Sequence, residues 1–446
     1  MFNRISLFLC LLLGAFGHLT ATEDSIRVTL LTCSPGEEVY SLYGHTAIRC
    51  QRISSASPAK EERKERIGGE EAGEGPTEGA EEKASFDDVV FNYGVFDMSK
   101  PHFVWHFVLG QTDYMVQAIP WEYFVPEYEE RGSSITEQEL NLTTAEAERL
   151  TKRLIENCRP ENCKYRYNFL YRNCTTMVRD MVEEVVTPAC ILYPDTLPHL
   201  TAREILHGYT RLHPWAEVGN DLLLGAEVDT IMSERAAMFI PQNLSTCFDG
   251  AFILNPDGDR RPLVRSKAML LQAKPKPQAL QASGGDWQQK LTSIAEARPV
   301  ESALLAFALL CIAILLLERW LRRIIWPFDV LILLLQGAAG LLLTFMFFFS
   351  EHPGVGSNWQ IWPLCPLALL GIPIVMKSPG GRGKTLWYAA YFVVLALFLL
   401  FSPWIPQEFA KITVPLALCM LTRPLSYHIA GNRKPVKKQP HKKSSR

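Results

Sequence analysis

An α+β domain delivered across a membrane, followed by an α-helical bundle of about five membrane spans, is the fold class this sequence predicts. Three observations predict it. The chain opens with a single early arginine, a long apolar run and a small-residue stretch, "MFNRISLFLCLLLGAFGHLTA", the pattern of a secretory leader. Strand-like aromatic and β-branched runs fill the next part, and helical patterns come after them. From Ala303 onward the chain is strongly apolar.

Taken in order, residues 1–21 read as a signal peptide with a cut expected after Ala21, and residues 22–250 as the exported domain. The runs "RVTLLTCS" and "EVYSLYGHTAIRCQ" are strand material. Residues 52–86 are rich in Glu, Lys, Gly, Ala and Ser and almost free of core formers. This composition predicts a disordered insertion, looped between two adjacent strands. "DVVFNYGVF" is the second of those strands, and "PHFVWHFVLGQTDYMVQAIP" reads as further aromatic strand. A helix is expected over "TAEAERLTKRLIENC", capped by Thr143 or Thr144. Another follows Cys174, in "TTMVRDMVEEVV", and runs toward Pro188. Residues 195–245 read as mainly helical, and residues 251–301 as a Pro-, Gly- and Gln-rich linker.

The membrane region is expected over 302–425. Its apolar runs lie near 302–317, 328–349, 361–376, 386–402 and 404–422, several of them short for a span of about 20 residues. Basic segments decide the count. "ERWLRR", "KSPGGRGK" and the tail at 426–446 are rich in Lys and Arg, whereas "SEHPGVGSNWQ" and "SPWIPQEF" are poor in them. Five spans put all three basic segments on the cytoplasmic side and the exported domain outside. Glu408 and Lys411 are charges in an apolar setting, expected at the membrane interface.

Charge and cysteine content narrow the chemistry. With 45 Lys+Arg against 47 Asp+Glu, the chain carries no basic excess that would point to nucleic acid. The exported part holds seven cysteines: Cys33, Cys50, Cys158, Cys163, Cys174, Cys190 and Cys247. An oxidising compartment permits disulfides, for which Cys158–Cys163, Cys33–Cys50 and Cys190–Cys247 are candidate pairs, and an odd count leaves one thiol over. The one C-x4-C spacing has no second pair or histidine set to complete a metal site, so no metal or cofactor is expected.

Cys174 is the candidate for the remaining thiol. It opens a helical pattern, where the helix dipole and free backbone N–H groups favour a thiolate and could hold an oxyanion. A nucleophilic thiol needs a base. His45, in the strand-like "YGHTAIRC", is the first candidate; His106 and His102, four apart in "PHFVWHFVLG", are the alternatives. Asn92, or else Tyr93, could orient the imidazole from the next strand.

Together "YSLYGHTAIR", "FNYGVFD", "LNLT", "YRYNFLYRNCTT" and "VRD" resemble the periplasmic domain of the Lnb family of bacterial lipoprotein N-acyltransferases. The resemblance covers roughly residues 25–245, and the five-span tail resembles the family's layout. The His-before-Cys order is similar to circularly permuted papain-like folds of the NlpC/P60 type. The insertion at 52–86 is the departure. The resemblance implies a bacterial inner-membrane enzyme with its catalytic domain in the periplasm and its C-terminus in the cytoplasm. It further implies a phospholipid acyl donor, a lipoprotein acceptor, a thioester on Cys174, His45 as base and Asn92 as its orienter. Tyr43, Tyr93 and Arg172 are the candidate substrate-binding residues, with Arg172 suited to a phosphate head group. Two other readings use the same sequence: an NlpC/P60-like cysteine peptidase or amidase, and a membrane receptor or scaffold without chemistry.

Overall fold

The computed structural model describes residues 25–53, 87–273, 296–377 and 382–431. The expected leader, all but two residues of the expected insertion, and the tail beyond 431 lie outside them. Strands β1 (Ser25–Cys33), β2 (His45–Ile53), β3 (Asp88–Val95), β4 (Asp113–Pro120), β5 (Ile135–Leu140), β6 (Lys164–Arg166) and β10 (Val264–Leu271) form one antiparallel sheet in the order β10-β5-β1-β2-β3-β4-β6. β2 and β3 are neighbours, and Arg52 N–H still donates to Asp87 C=O at 2.9 Å. Residues 54–86 therefore join adjacent strands.

The central strands are apolar on both faces because helices cover both. Leu30 faces α3 (Thr144–Asn157) and α4 (Cys174–Val185), while Leu31 faces α2 (Trp121–Glu130). Both leucines are fully buried, each worth roughly 1.5–3 kcal/mol of transfer free energy. α3 starts at Thr143, whose hydroxyl accepts from Glu146 N–H while the Glu146 carboxylate accepts from Thr143 N–H. This reciprocal cap satisfies two of the end's free donors. Helices α5 (Ala202–Thr210), α6 (Pro214–Leu223) and α7 (Pro241–Gly250) complete the domain.

Two expectations are corrected. Residues 252–271 are not linker: β8 (Phe252–Leu254) and β9 (Arg260–Pro262) pair with β7 (Cys190–Leu192), and β10 extends the main sheet beyond β5. The turn at Gly258 (φ +94°) lets β8 and β9 pair. "PHFVWHF" is not a strand either; α1 (Phe103–Val108) is a short helix. Its last carbonyls have tertiary partners: Phe107, Val108 and Leu109 C=O accept from His352 Nε2, Ser350 Oγ and Glu351 N–H at 2.6–2.8 Å. Sequence period could not show those partners.

The C-terminal region is helical: α8 (Pro299–Leu321), α9 (Trp326–Phe349), a broken segment Trp359–Met376, α10 (Arg382–Phe401) and α11 (Thr413–Ser426). Among the described residues, four stretches are long and apolar enough to span a membrane, Pro299–Leu321, Trp326–Phe349, Trp359–Met376 and Arg382–Trp404. α11, at 14 residues, is shorter than a span. Its Arg423 is buried between α8 and α9, with Nη2 2.8 Å from Glu318 and Nε 2.5 Å from Asp329. The apolar surround is tolerable only because both carboxylates are paired.

The two loops poor in basic residues grip the exported domain. Asn358 Nδ2 donates to Leu222 and Leu223 C=O at the end of α6, and Gln407 Nε2 to Leu224 C=O. Lys411 Nζ lies 2.5 Å from Glu217 on α6, and Glu408 N–H donates to Asp229. Glu408 and Lys411 thus lie where the domain meets the bundle.

Candidate active site

The site assembles where β2 begins, where β3 ends and where α4 starts. His45 is the first residue of β2, opposite Cys33 on β1. Asn92 lies on β3 opposite Ala47. His45 Nε2 and Asn92 Oδ1 are 2.5 Å apart, a short hydrogen bond. With Nε2 held by Asn92, Nδ1 is the ring nitrogen left for a reaction partner. The Tyr128 ring stacks on the imidazole at 6.3 Å, fixing its plane.

Cys174 is the first residue of α4; its Sγ lies 3.7 Å from Thr175 Oγ1, and the His45 imidazole is close enough to dominate its electrostatics. Burial alone would push the thiol up from its ordinary 9.0. The positive imidazole, the Thr46 backbone N–H and the Thr175 hydroxyl outweigh it and bring Cys174 down to about 7. His45 moves the opposite way: burial lowers it, but the facing thiolate and Asn92 raise it overall. Near neutral pH the pair is therefore poised to exist as thiolate and imidazolium, the form that attacks carbonyl carbon.

The start of α4 differs from expectation in one respect. Asn173 caps it, with Oδ1 accepting from both Thr175 and Thr176 N–H at 2.9 Å. Its Nδ2 donates to Phe169 and Phe239 C=O, and its own N–H donates to Thr176 Oγ1. The helix-end N–H groups of 175 and 176 are already spent, so they do not serve as oxyanion donors.

Gly94 lies against both reacting groups. Its φ is +89°, a conformation that other residues rarely adopt. A Cβ built there would stand 3.6 Å from Cys174 Cβ, 4.0 Å from His45 Cε1 and 4.0 Å from Tyr165 Oη. The missing side chain leaves room for a reacting atom between nucleophile and base.

The other sequence candidates separate. His102 and His106 are exposed on or beside α1. Tyr93 is 1% exposed and behind the site: its hydroxyl donates to Met181 Sδ at 2.8 Å and accepts from Asn157. It is a core residue, and the expectation that it binds substrate or orients His45 is corrected, because neighbouring strand residues point to opposite faces. Tyr43 accepts from Asn220 Nδ2 at 2.7 Å and packs on Tyr209, tying the His45 loop to α6. Arg172 is exposed, its guanidinium 5.7 Å from the Tyr165 ring. Gly94 and Tyr165 had no distinguishing sequence signal; "YRYNFLYRNC" holds three tyrosines with nothing to rank them. Asn173 carried one, an asparagine directly ahead of a helical pattern.

No disulfide occurs among the described residues. Cys33 and Cys50 sit five residues apart in register along neighbouring strands, Cys33 opposite His45 and Cys50 opposite Val28, about 16 Å along the strand. That excludes the bridge. Cys163 Sγ instead meets Pro160 C=O, and Cys247 Sγ meets Glu234.

The site also lies close to the bundle. Phe169, in the loop that delivers Cys174, has its ring 6.4 Å from His352, and Trp105 of α1 has its ring 5.1 Å from Phe345 of α9.

Comparison with known families matches residues 78–208 to the Lnb N-terminal periplasmic domain and residues 291–435 to the Lnb transmembrane domain. The first match includes Asn92, Gly94, Tyr165 and Cys174; His45 lies ahead of it and joins them through the fold. No curated protein and no solved structure matches the chain. The two matched domains, in this order on one chain, identify it as a member of the Lnb family, a multi-pass inner-membrane protein with a periplasmic domain ahead of its membrane helices.

Proposed function

We propose that this protein is a thiol acyltransferase that moves a fatty acyl group from a phospholipid to the N-terminal amine of a lipid-modified cysteine on a lipoprotein. The observation that carries the reading is the Cys174–His45–Asn92 arrangement, with its lowered thiol, beside membrane helices of the same chain. His45 takes the Cys174 proton, and the thiolate attacks the ester carbonyl. The imidazolium returns that proton to the departing glycerol oxygen, releasing lysophospholipid and leaving a thioester on Cys174. The lipoprotein amine then attacks the thioester, His45 takes the amine proton, and the thiolate leaves. Asn92 holds the imidazole in the plane that both steps use.

In this reading the domain is a permuted papain-like fold, with the base on a strand ahead of the nucleophile's helix. The bundle makes five crossings, the last formed by α11 together with the helical turn Tyr427–Gly431 that continues it, and the C-terminus is cytoplasmic. The basic segments at 318–323 and in the tail then share one side. Both substrates lie in the bilayer, so tethering the site at its surface raises their effective concentration. Exposed Arg172 beside the site suits the donor's phosphate.

Intact mass spectrometry of protein purified from membranes tests the reading, comparing wild type with Cys174→Ser and His45→Ala. The expected result is a hydroxylamine-labile gain of one fatty-acyl mass on wild type only. An oxidised Cys174 without adduct would end it, and trimming of cell-wall peptides in its place would favour the peptidase reading.

A further inference from the structure

We infer that Tyr165 is the oxyanion donor of this site, its phenol hydroxyl holding the carbonyl oxygen of the substrate in the tetrahedral intermediate. The inference rests on the thiol acyl-transfer reading and adds a residue to it.

The first observation is an orphan. Tyr165 is 6% exposed, and its Oη is buried without a hydrogen-bond partner among the described residues. A buried hydroxyl left unpaired is costly, and native proteins rarely keep one without a use. The second is its position. The atoms nearest the empty point over Gly94 are Cys174 Cβ, His45 Cε1 and Tyr165 Oη. Nucleophile, base and unpaired donor thus border one small space, where a carbonyl can meet all three. The third is that Asn173 has taken the N–H groups of Thr175 and Thr176. Two of the helix-end donors that could hold an oxyanion are therefore already engaged.

The ring is held for the task. Tyr165 is paired with Tyr114 across β4 and β6, packs at 6.2 Å from the Tyr93 ring, and lies under the Arg172 guanidinium. Burial and the nearby thiolate push its hydroxyl well above the ordinary phenol range, so it stays protonated. It therefore donates a hydrogen bond and keeps its proton throughout. When the thiolate attacks, the C–S bond forms and the carbonyl π pair moves to oxygen, which accepts the Tyr165 hydrogen bond. When the intermediate collapses, the pair returns, the C–O bond to the leaving group breaks, and His45 supplies the leaving oxygen with its proton. Tyr114 and Tyr167 are also close enough to feel the Cys174 charge, but neither is among the nearest atoms at that point.

The test is Tyr165→Phe in the full-length protein, in detergent micelles. Two rates are read on Cys174: acylation by p-nitrophenyl butyrate, and thiol exchange with dithiodipyridine. The ester passes through an oxyanion and the disulfide does not. The expected result is an acylation rate lower by about 10²–10³-fold, an exchange rate within about twofold, and an unchanged thermal melt. Removing an unpaired hydroxyl leaves the ring packing intact, so the melt and the exchange rate both verify folding. Acylation within threefold of wild type would overturn the inference. So would an equal fall in both rates, which would place the effect on the thiolate. The p-nitrophenyl ester acylates a competent thiol whatever its natural donor, so a failure of phospholipid transfer in wild type would sink the proposed function and leave this result readable.

Discussion

Replacing His45 with Ala should change how Cys174 reacts with pH in a way that crosses over. In the wild type Cys174 titrates at about 7, chiefly because the imidazolium outweighs burial. Without His45 the burial remains and the cation is gone, so the thiol returns to at least its ordinary 9.0. At pH 7 the thiolate fraction then falls from about one half to about one in a hundred. The variant's thiolate is the stronger nucleophile, however: two pKa units at a Brønsted slope of ~0.45 make it about eightfold faster per thiolate. The net expectation with dithiodipyridine is a rate about sixfold below wild type at pH 7, equality near pH 8, and about sevenfold above wild type at pH 10. Rates measured by absorbance from pH 5.5 to 10, in detergent and with a thermal melt for each form, would show it. A wild-type profile that keeps climbing past pH 8 like an ordinary thiol, or a variant profile that does not shift, would refute the ion-pair account.

Other perturbations follow from the same geometry. Asn92→Ala frees His45 Nε2 and lets the ring turn. Thioester formation, followed by mass spectrometry, should fall about 10- to 100-fold. The exchange profile should move toward higher pH, less far than in His45→Ala, because Asn92 helps keep the imidazole charged beside the thiol; a profile equal to wild type would show that Asn92 acts on the plane of the ring alone. Gly94→Ala puts a methyl in the space between Cys174 and His45 at φ +89°. It should lower the unfolding free energy by ~1 kcal/mol or more and slow acylation over tenfold, whereas unchanged acylation would mean substrate does not use that space. Asn173→Ala removes the α4 cap and strands the Phe169 and Phe239 carbonyls, costing about 2–4 kcal/mol in thermal unfolding; a melt equal to wild type would contradict the capping account. Arg423→Leu leaves Glu318 and Asp329 buried and unpaired. It should cost about 3–5 kcal/mol and show as lost monodisperse protein in detergent, and wild-type yield and melt would argue against that cluster's structural role.

Much of the molecule was legible because its signals are local. Thr143 with Glu146 marks a helix start within four residues, and the apolar runs and basic segments of the membrane region are a matter of composition. α1 and residues 252–271 were not legible. The first is a helix whose end is held by residues 350–352, and the second is sheet only because β5 and β7 offer edges. Local period carries no information about partners tens to hundreds of residues away.

By itself the sequence determined an exported mixed domain joined to membrane helices, a cysteine opening a helix, and a histidine on an upstream strand. Each rests on periodicity, capping or charge that neighbouring residues express together. Only the tertiary structure decided the rest. Strand register put Asn92, not Tyr93, against His45. It left Gly94 and Tyr165 around one empty space, and it gave the helix-end N–H groups to Asn173. The physical reason is that a strand turns successive side chains to opposite faces, so one residue of register separates a site residue from a core residue.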